Sequence, residues 1–150
     1  MPANPVVILT QEADDNARLA ELLAGQGIDA LSYPCIATRL LPFEEAQLPE
    51  GRSLASYRIV AFTSRRGVAG MSSAAELLRA RALVIACIGD ATAGAARELL
   101  GVTPAIVPAE HTGTGLARAI AEDYPEPVPL LLVRGTKSSN TFQETLRGLG

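Results

Sequence analysis

The sequence predicts an α/β fold, a parallel sheet with helices on both faces. Short apolar runs alternate with helical stretches along most of the chain, the pattern of a covered parallel sheet. Three of those runs end in polar, donor-rich turns: Ile59–Phe62 into Thr63-Ser64-Arg65-Arg66, Val84–Ile88 into Gly89-Asp90-Ala91-Thr92, and Leu130–Val133 into Arg134-Gly135-Thr136-Lys137-Ser138-Ser139-Asn140. In a parallel sheet such turns share the edge at the carboxyl ends of the strands, where ligands bind. Helix N-termini there offer free N–H groups and partial positive charge. With Arg or Lys in two of the turns, the edge suits a ligand bearing several carboxylates or phosphates.

Taken in order, Val6–Thr10 is the first expected strand. Asp14-Asp15-Asn16 can start a helix whose Ala17, Ala20, Leu23 and Ala24 form an apolar stripe, and Gly27 suits its left-handed end. Ile28–Tyr33 reads as a second strand. Beyond Pro34 the pattern changes: Cys35–Arg39 is extended and mixed, and Pro42–Arg52 is polar, as if the chain crosses into another domain. Alternation resumes with strand Arg58–Phe62, a helix from near Ser64 and a second helical piece over Ser72–Arg81. Strand Leu83–Ile88 leads to a helix from Asp90 or Ala91 to Leu100, stopped by Gly101. A short Ile106-Val107 strand precedes a helix capped by Thr112 and running toward Asp123. Strand Leu130–Val133 precedes a helix from about Asn140 to Arg147. Gly148-Leu149-Gly150 repeats the stop signal seen at Gly27 with no strand behind it, and Val6–Tyr33 is too small to make a sheet of its own. Both features lead us to expect that the fold continues in further sequence.

Composition narrows the function classes. The 150 residues are 48% hydrophobic but only 4% aromatic, so the core is built from Ala, Leu, Val and Ile. No apolar run is long enough to span a bilayer and no secretory signal precedes the first strand, which makes the cytoplasm the expected location and no membrane the expectation. A net charge of −3 argues against a nucleic-acid or anionic-membrane surface. The two cysteines, Cys35 and Cys87, form no disulfide framework or metal motif, and the single His111 has no ligand-spaced partner, so no metal is expected.

Several local motifs have both a chemical and a structural reading. Gly135-Thr136-Lys137-Ser138 lacks the upstream glycine and the Gly-Lys pair of a nucleotide P-loop. Gly113-Thr114-Gly115 resembles half a dinucleotide fingerprint, but Arg118 replaces the third glycine, and a helix start capped by Thr112 explains it. Asp90 is either a catalytic carboxylate or a helix-start acid. Thr92 is a slightly poor helix residue that could present its hydroxyl to a ligand. Arg65 and Arg66 open a helix, where cations oppose the macrodipole, and this favours a binding role, as it does for Arg134 and Lys137.

Six stretches in order resemble uroporphyrinogen-III synthase: Val7-Ile8-Leu9-Thr10; Gly27–Pro34; Ala61-Phe62-Thr63-Ser64-Arg65-Arg66-Gly67-Val68; Ile88-Gly89-Asp90-Ala91-Thr92-Ala93; Thr112-Gly113-Thr114-Gly115-Leu116; and Leu132-Val133-Arg134-Gly135. The resemblance covers the whole chain and about three-fifths of the family's usual length. It implies two flavodoxin-like α/β domains joined by a two-stranded linker. Residues 1–33 would begin the first domain, 34–39 would form the outgoing linker strand, and 40–150 would build the second domain, nearly complete. The first domain would be incomplete here.

The implied activity is the cofactor-free conversion of hydroxymethylbilane to uroporphyrinogen III in haem biosynthesis. Water is lost, the last pyrrole ring is inverted through a spiro intermediate, and the macrocycle closes. By carry-over Thr63, Ser64 and Arg65 would contact substrate carboxylates. Gly89, Ala91 and Thr92 would offer backbone and hydroxyl donors, with Thr92 the catalytic candidate, and Arg134, Gly135 and Lys137 would complete the wall. The tyrosine that the family carries on its returning linker and the opposing loops of the first domain have no counterpart here, so this chain alone is expected to be inactive, and the open edge of 34–39 with the uncovered faces of Val6–Tyr33 leads us to expect self-association. The alternative is a non-catalytic flavodoxin-like module binding a small polyanion or a protein partner.

Overall fold

The structure is a computed structural model that describes residues 6–149. Met1–Pro5 and Gly150, which entered the reading of the two chain ends, lie outside the described residues. The chain divides into two compact units, one up to Arg39 and one from Leu40 onward.

In the first unit, β1 (Val6–Leu9), α1 (Ala13–Ala24) and β2 (Asp29–Ser32) form a βαβ element. The strands pair in parallel, Val6 opposite Asp29 and Leu9 opposite Ser32. Helix α1 starts one residue before the expected acidic cluster, and Gly27 does adopt a left-handed φ of 72° at its exit. The apolar stripe is only partly used. Ala20 and Leu23 are half-buried, whereas Ala17 and Ala24 are exposed, because two strands give the helix a narrow surface to cover. The fully buried residue of α1 is Asn16, expected as a helix-starting residue but found inside the helix. Its amide donates to Leu9 O at 2.8 Å and Ser32 Oγ at 3.1 Å, and its Oδ1 accepts from Gln11 N at 3.0 Å. One side chain thus ties the helix to the carboxyl ends of both strands. Residues 34–39 do not form the expected strand. Cys35 N donates to Thr10 O at 3.2 Å, but among the described residues no strand pairs with the remainder, and an extended segment without a ladder partner leaves its backbone groups to solvent.

In the second unit, β3 (Ile59–Phe62) is the central strand of a parallel sheet in the order β4-β3-β5, with β4 at Val84–Cys87 and β5 at Leu130–Val133. All four residues of β3 are buried, as expected of a strand covered on both faces. The expected Ile106-Val107 strand reduces to a single parallel bridge between Ile106 and Ala86. Pro104 and Pro108 flank it, and a residue without an N–H cannot extend a ladder in either direction.

Helices α2 (Arg65–Gly70), α3 (Ala75–Ala80) and α4 (Asp90–Ala95) pack on one face. Val60, Phe62, Ile85 and Cys87 meet Val68, Leu78, Ala93 and Leu100 there. Helix α4 runs on through a wider π-type turn at Ala96–Leu100, and Gly101 ends it at a left-handed φ of 64°. Helices α5 (Gly113–Asp123) and α6 (Thr141–Gly148) cover the opposite face, where Ile59, Ala61 and Ala86 meet Leu116, Ile120 and Phe142. Helices on both faces of a parallel sheet are the architecture that the sequence predicts.

Candidate functional site

The strand register sets the geometry of the site. Phe62 stands opposite Cys87 on one side and Val133 on the other. The turns that follow β3, β4 and β5 therefore leave the sheet side by side on one edge. The sheet also changes its direction of growth here: from β3 the chain builds outward to β4 and the Ile106 bridge, then returns to place β5 on the other side of β3. Where growth reverses, the helices that follow adjacent strands lie on opposite faces and leave a crevice between them. That crevice lies between the β3 turn and the β5 turn. The start of α2 comes close to β5, since a β-carbon on Gly67 would stand 3.2 Å from Val133 O.

In the β3 turn, Thr63 is half-buried and its N–H points to Val133 O at 3.5 Å. Ser64 caps α2, its Oγ accepting from Gly67 N at 3.0 Å, so its hydroxyl proton is left to donate outward. Arg65 and Arg66 open α2 at exposed positions.

The β4 turn differs from its expected form. Ala91 is exposed, but Gly89 is buried and Thr92 is only 5% exposed. Gly89 O accepts from Thr92 N at 3.1 Å and Ala93 N at 3.0 Å. The ring of His111 lies on Gly89, where an added β-carbon would meet its Cγ at 2.6 Å. Gly89 is thus covered and does not present an open backbone. Asp90 opens α4 at an exposed position, where an acid complements the helix dipole. Beneath this turn Cys87 is fully buried, and burial pushes its thiol up to about 11, against the opposing pull of Arg97.

In the β5 turn the Arg134 guanidinium is occupied by its own loop. Nη1 donates to Asn140 Oδ1 at 2.9 Å and Ser139 O at 3.2 Å, and Nη2 to Ser138 O at 3.0 Å. Arg134 therefore shapes the loop. Gly135 and Ser138 close a tight turn through Ser138 N to Gly135 O at 3.1 Å, with Lys137 exposed at its tip.

The segment after the Ile106 bridge brings a fourth turn to the same edge, with His111 and Thr112 at its end. Thr112 caps α5 as expected, its Oγ1 accepting from Gly115 N at 3.0 Å. The sequence reading passed over His111 because its contact is with Gly89, far away in the chain. The signal available in the sequence was Gly89 itself, a glycine directly after an apolar strand, where close approach of a neighbour is one reason for a missing side chain. Among the described residues no group of three His, Cys, Asp or Glu comes together as a metal site. No helix of the described residues is long and apolar enough to cross a membrane.

Two solved structures of uroporphyrinogen III synthase from the extremely thermophilic bacterium Thermus thermophilus share this fold. The wild-type native crystal form matches with a TM-score of 0.51 at 20% identity, over 97% of this chain and 57% of that one. A selenomethionine derivative of a mutant form matches with a TM-score of 0.61 at 19% identity, over 97% of this chain and 58% of that one. The chain thus spans less than three-fifths of the length of these relatives. No curated protein matches significantly. The family described as uroporphyrinogen-III synthase HemD matches residues 17–150, nearly the whole chain. With its parallel sheet, doubly covered core and turn-lined edge, this chain belongs to the uroporphyrinogen-III synthase family.

Proposed function

We propose that the carboxyl edge of the second unit is one wall of a uroporphyrinogen-III synthase site. Its substrate would be hydroxymethylbilane and its product uroporphyrinogen III, with no cofactor or metal. The observation that carries the reading is the register of Phe62 with both Cys87 and Val133, which gathers three polar turns on one edge at the point where sheet growth reverses. A flexible chain of four pyrroles with eight carboxylates needs spaced donors to hold it in a reactive conformation, and catalysis by such a wall is mainly positioning and stabilisation of developing charge. Family membership favours this reading over a non-catalytic polyanion-binding module.

In this proposal Thr63, Ser64 and Arg65 take substrate carboxylates, and Ala91 offers its exposed N–H. The Thr92 hydroxyl acts close to the reacting pyrrole. Arg134 holds the loop that presents Gly135 and Lys137. As the hydroxymethyl oxygen leaves as water, positive charge spreads over the pyrrole it leaves, and the wall's part is to keep the inverted ring within reach of that carbon. The protein would work in the cytoplasm. The chain on its own would be inactive and would self-associate, because Val6, Ile8 and Leu31 of the β1–β2 sheet are 57%, 60% and 56% exposed. Such apolar strand surface is buried when two copies pair.

The test is a titration of the isotope-labelled chain with uroporphyrin III, the oxidised and stable octacarboxylate of the product skeleton. Saturable shifts of the Thr63, Ser64, Ala91 and Gly135 amides are expected. Saturable shifts confined to the first unit, or none at all, would overturn the assignment.

A further inference from the structure

We propose that His111 is a carboxylate-contacting residue of this edge, with Asp90 as the internal anion that a ligand carboxylate displaces. The inference rests on the site reading above and adds a residue to it. Gly89 has no side chain and is buried, and the imidazole of His111 occupies the space where its β-carbon would be, Cγ at 2.6 Å and Nδ1 at 2.9 Å. The surface that a ligand meets at the β4 turn is therefore the imidazole, whose side chain is 48% exposed. Packing on Gly89 fixes the ring, so contact with a ligand loses little side-chain freedom.

The charges around the ring support a carboxylate as its partner. Nε2 lies 3.8 Å from Asp90 Oδ2, and the Asp90 side chain is 89% exposed. At that length and exposure the pair is loose, so Asp90 marks where an anion is attracted without filling the place tightly. The neighbouring acid, Glu110, is turned to the Thr112 hydroxyl, which donates to Glu110 Oε1 at 3.0 Å. A ligand carboxylate arriving over the β4 turn replaces Asp90 at Nε2, and Asp90 moves into water.

His111 is the only histidine in the chain, so its imidazole signals are unambiguous in an NMR spectrum. The test again uses uroporphyrin III and the 150-residue chain. The His111 ring resonances should shift saturably, in step with the Thr63 and Ala91 amides. By porphyrin fluorescence, His111→Phe, which keeps a ring on Gly89 but has no donor, should bind about three- to ten-fold more weakly, the effect of one hydrogen bond at a partly exposed site. Asp90→Asn, which keeps the shape and removes the competing anion, should bind more tightly. The inference is overturned if the Thr63 and Ala91 amides shift while the His111 ring does not, or if either variant fails to move affinity in its stated direction; the site reading survives those results. Absence of any saturable shift overturns the site reading and this inference with it.

Discussion

Asn16 Nδ2 donates to Leu9 O at 2.8 Å from the one fully buried position of α1. A buried amide in the first turns of a helix fixes how that helix sits over the ends of the strands, since its donors and acceptor reach Leu9, Ser32 and Gln11 together. Removing it leaves Gln11 N without its partner, while Leu9 O keeps its bond from Tyr33 N at 2.8 Å.

Asn16→Leu should therefore destabilise the first unit by about 1–3 kcal/mol, from the hydrogen bonds lost and Gln11 N left unpaired. Hydrogen exchange is the proper measurement, because it reads the two units separately. Amides of Ile8, Leu31 and Tyr33 should lose protection, while those of β3 and β4 keep theirs.

Two glycines on the proposed binding edge should differ in their tolerance of a methyl group. Gly89→Ala meets the His111 ring, a side chain that can move, and should cost about 1–3 kcal/mol. Gly115→Ala drives its methyl into the Glu110 carbonyl oxygen, a backbone atom beside the helix cap, and should cost more. Denaturant midpoints of the single variants and of Gly89→Ala with His111→Ala would check this. The double variant should recover most of the Gly89→Ala loss, the signature of a direct contact.

For Thr92, burial at 5% exposure makes valine the informative replacement, since it keeps the branched shape and removes only the hydroxyl. In a protein that carries the proposed synthase activity, Thr92→Val should lower turnover at least ten-fold while leaving the melting temperature within a few degrees. An active Thr92→Val enzyme that melts early would assign the hydroxyl a packing role.

The two thiols should react very differently. Cys35 is exposed and Cys87 buried. With its thiol held up to about 11, Cys87 stays protonated at pH 8. Iodoacetamide should modify Cys35 within minutes and reach Cys87 only after unfolding. The sign of the linked stability effect follows. From an ordinary value of 9.0 up to about 11 the unfolded thiol loses its proton while the native one keeps it, so Cys87 lowers stability as pH rises through that window. Cys87→Ala should flatten the alkaline arm of a stability–pH curve.

The elements of the second unit were legible because their signals are local. The apolar runs of β3, β4 and β5, the Thr112 cap and the Gly101 stop each declare themselves within a few residues. The side-by-side placement of the three turns followed from a rule of parallel sheets. What stayed hidden depends on contacts distant in sequence. The His111 ring over Gly89 is one case, and the Asn16 amide between two strands is another. Arg134 shows a further limit: a cation at a strand end reads as a ligand contact, yet its guanidinium also bonds its own loop at Ser138 O, Ser139 O and Asn140 Oδ1. The resemblance implied a linker strand at 34–39, but a strand exists only where a neighbour supplies the ladder.

The register of β3 with its two neighbours also orders the assembly of the second unit. Val60 pairs with Ile85 across a short intervening segment and with Leu131 across one nearly three times as long. The longer closure costs about 1 kcal/mol more in chain entropy, and contacts distant in sequence form more slowly. The β3–β4 pair with α2 and α3 is accordingly expected to form first, with β5 docking later. Since the crevice lies between the β3 and β5 turns, it comes into being only with that last step. On that order the β3 turn would exist before the cleft does, and a ligand of the proposed site would act on folding only by holding β5 in place once it has arrived.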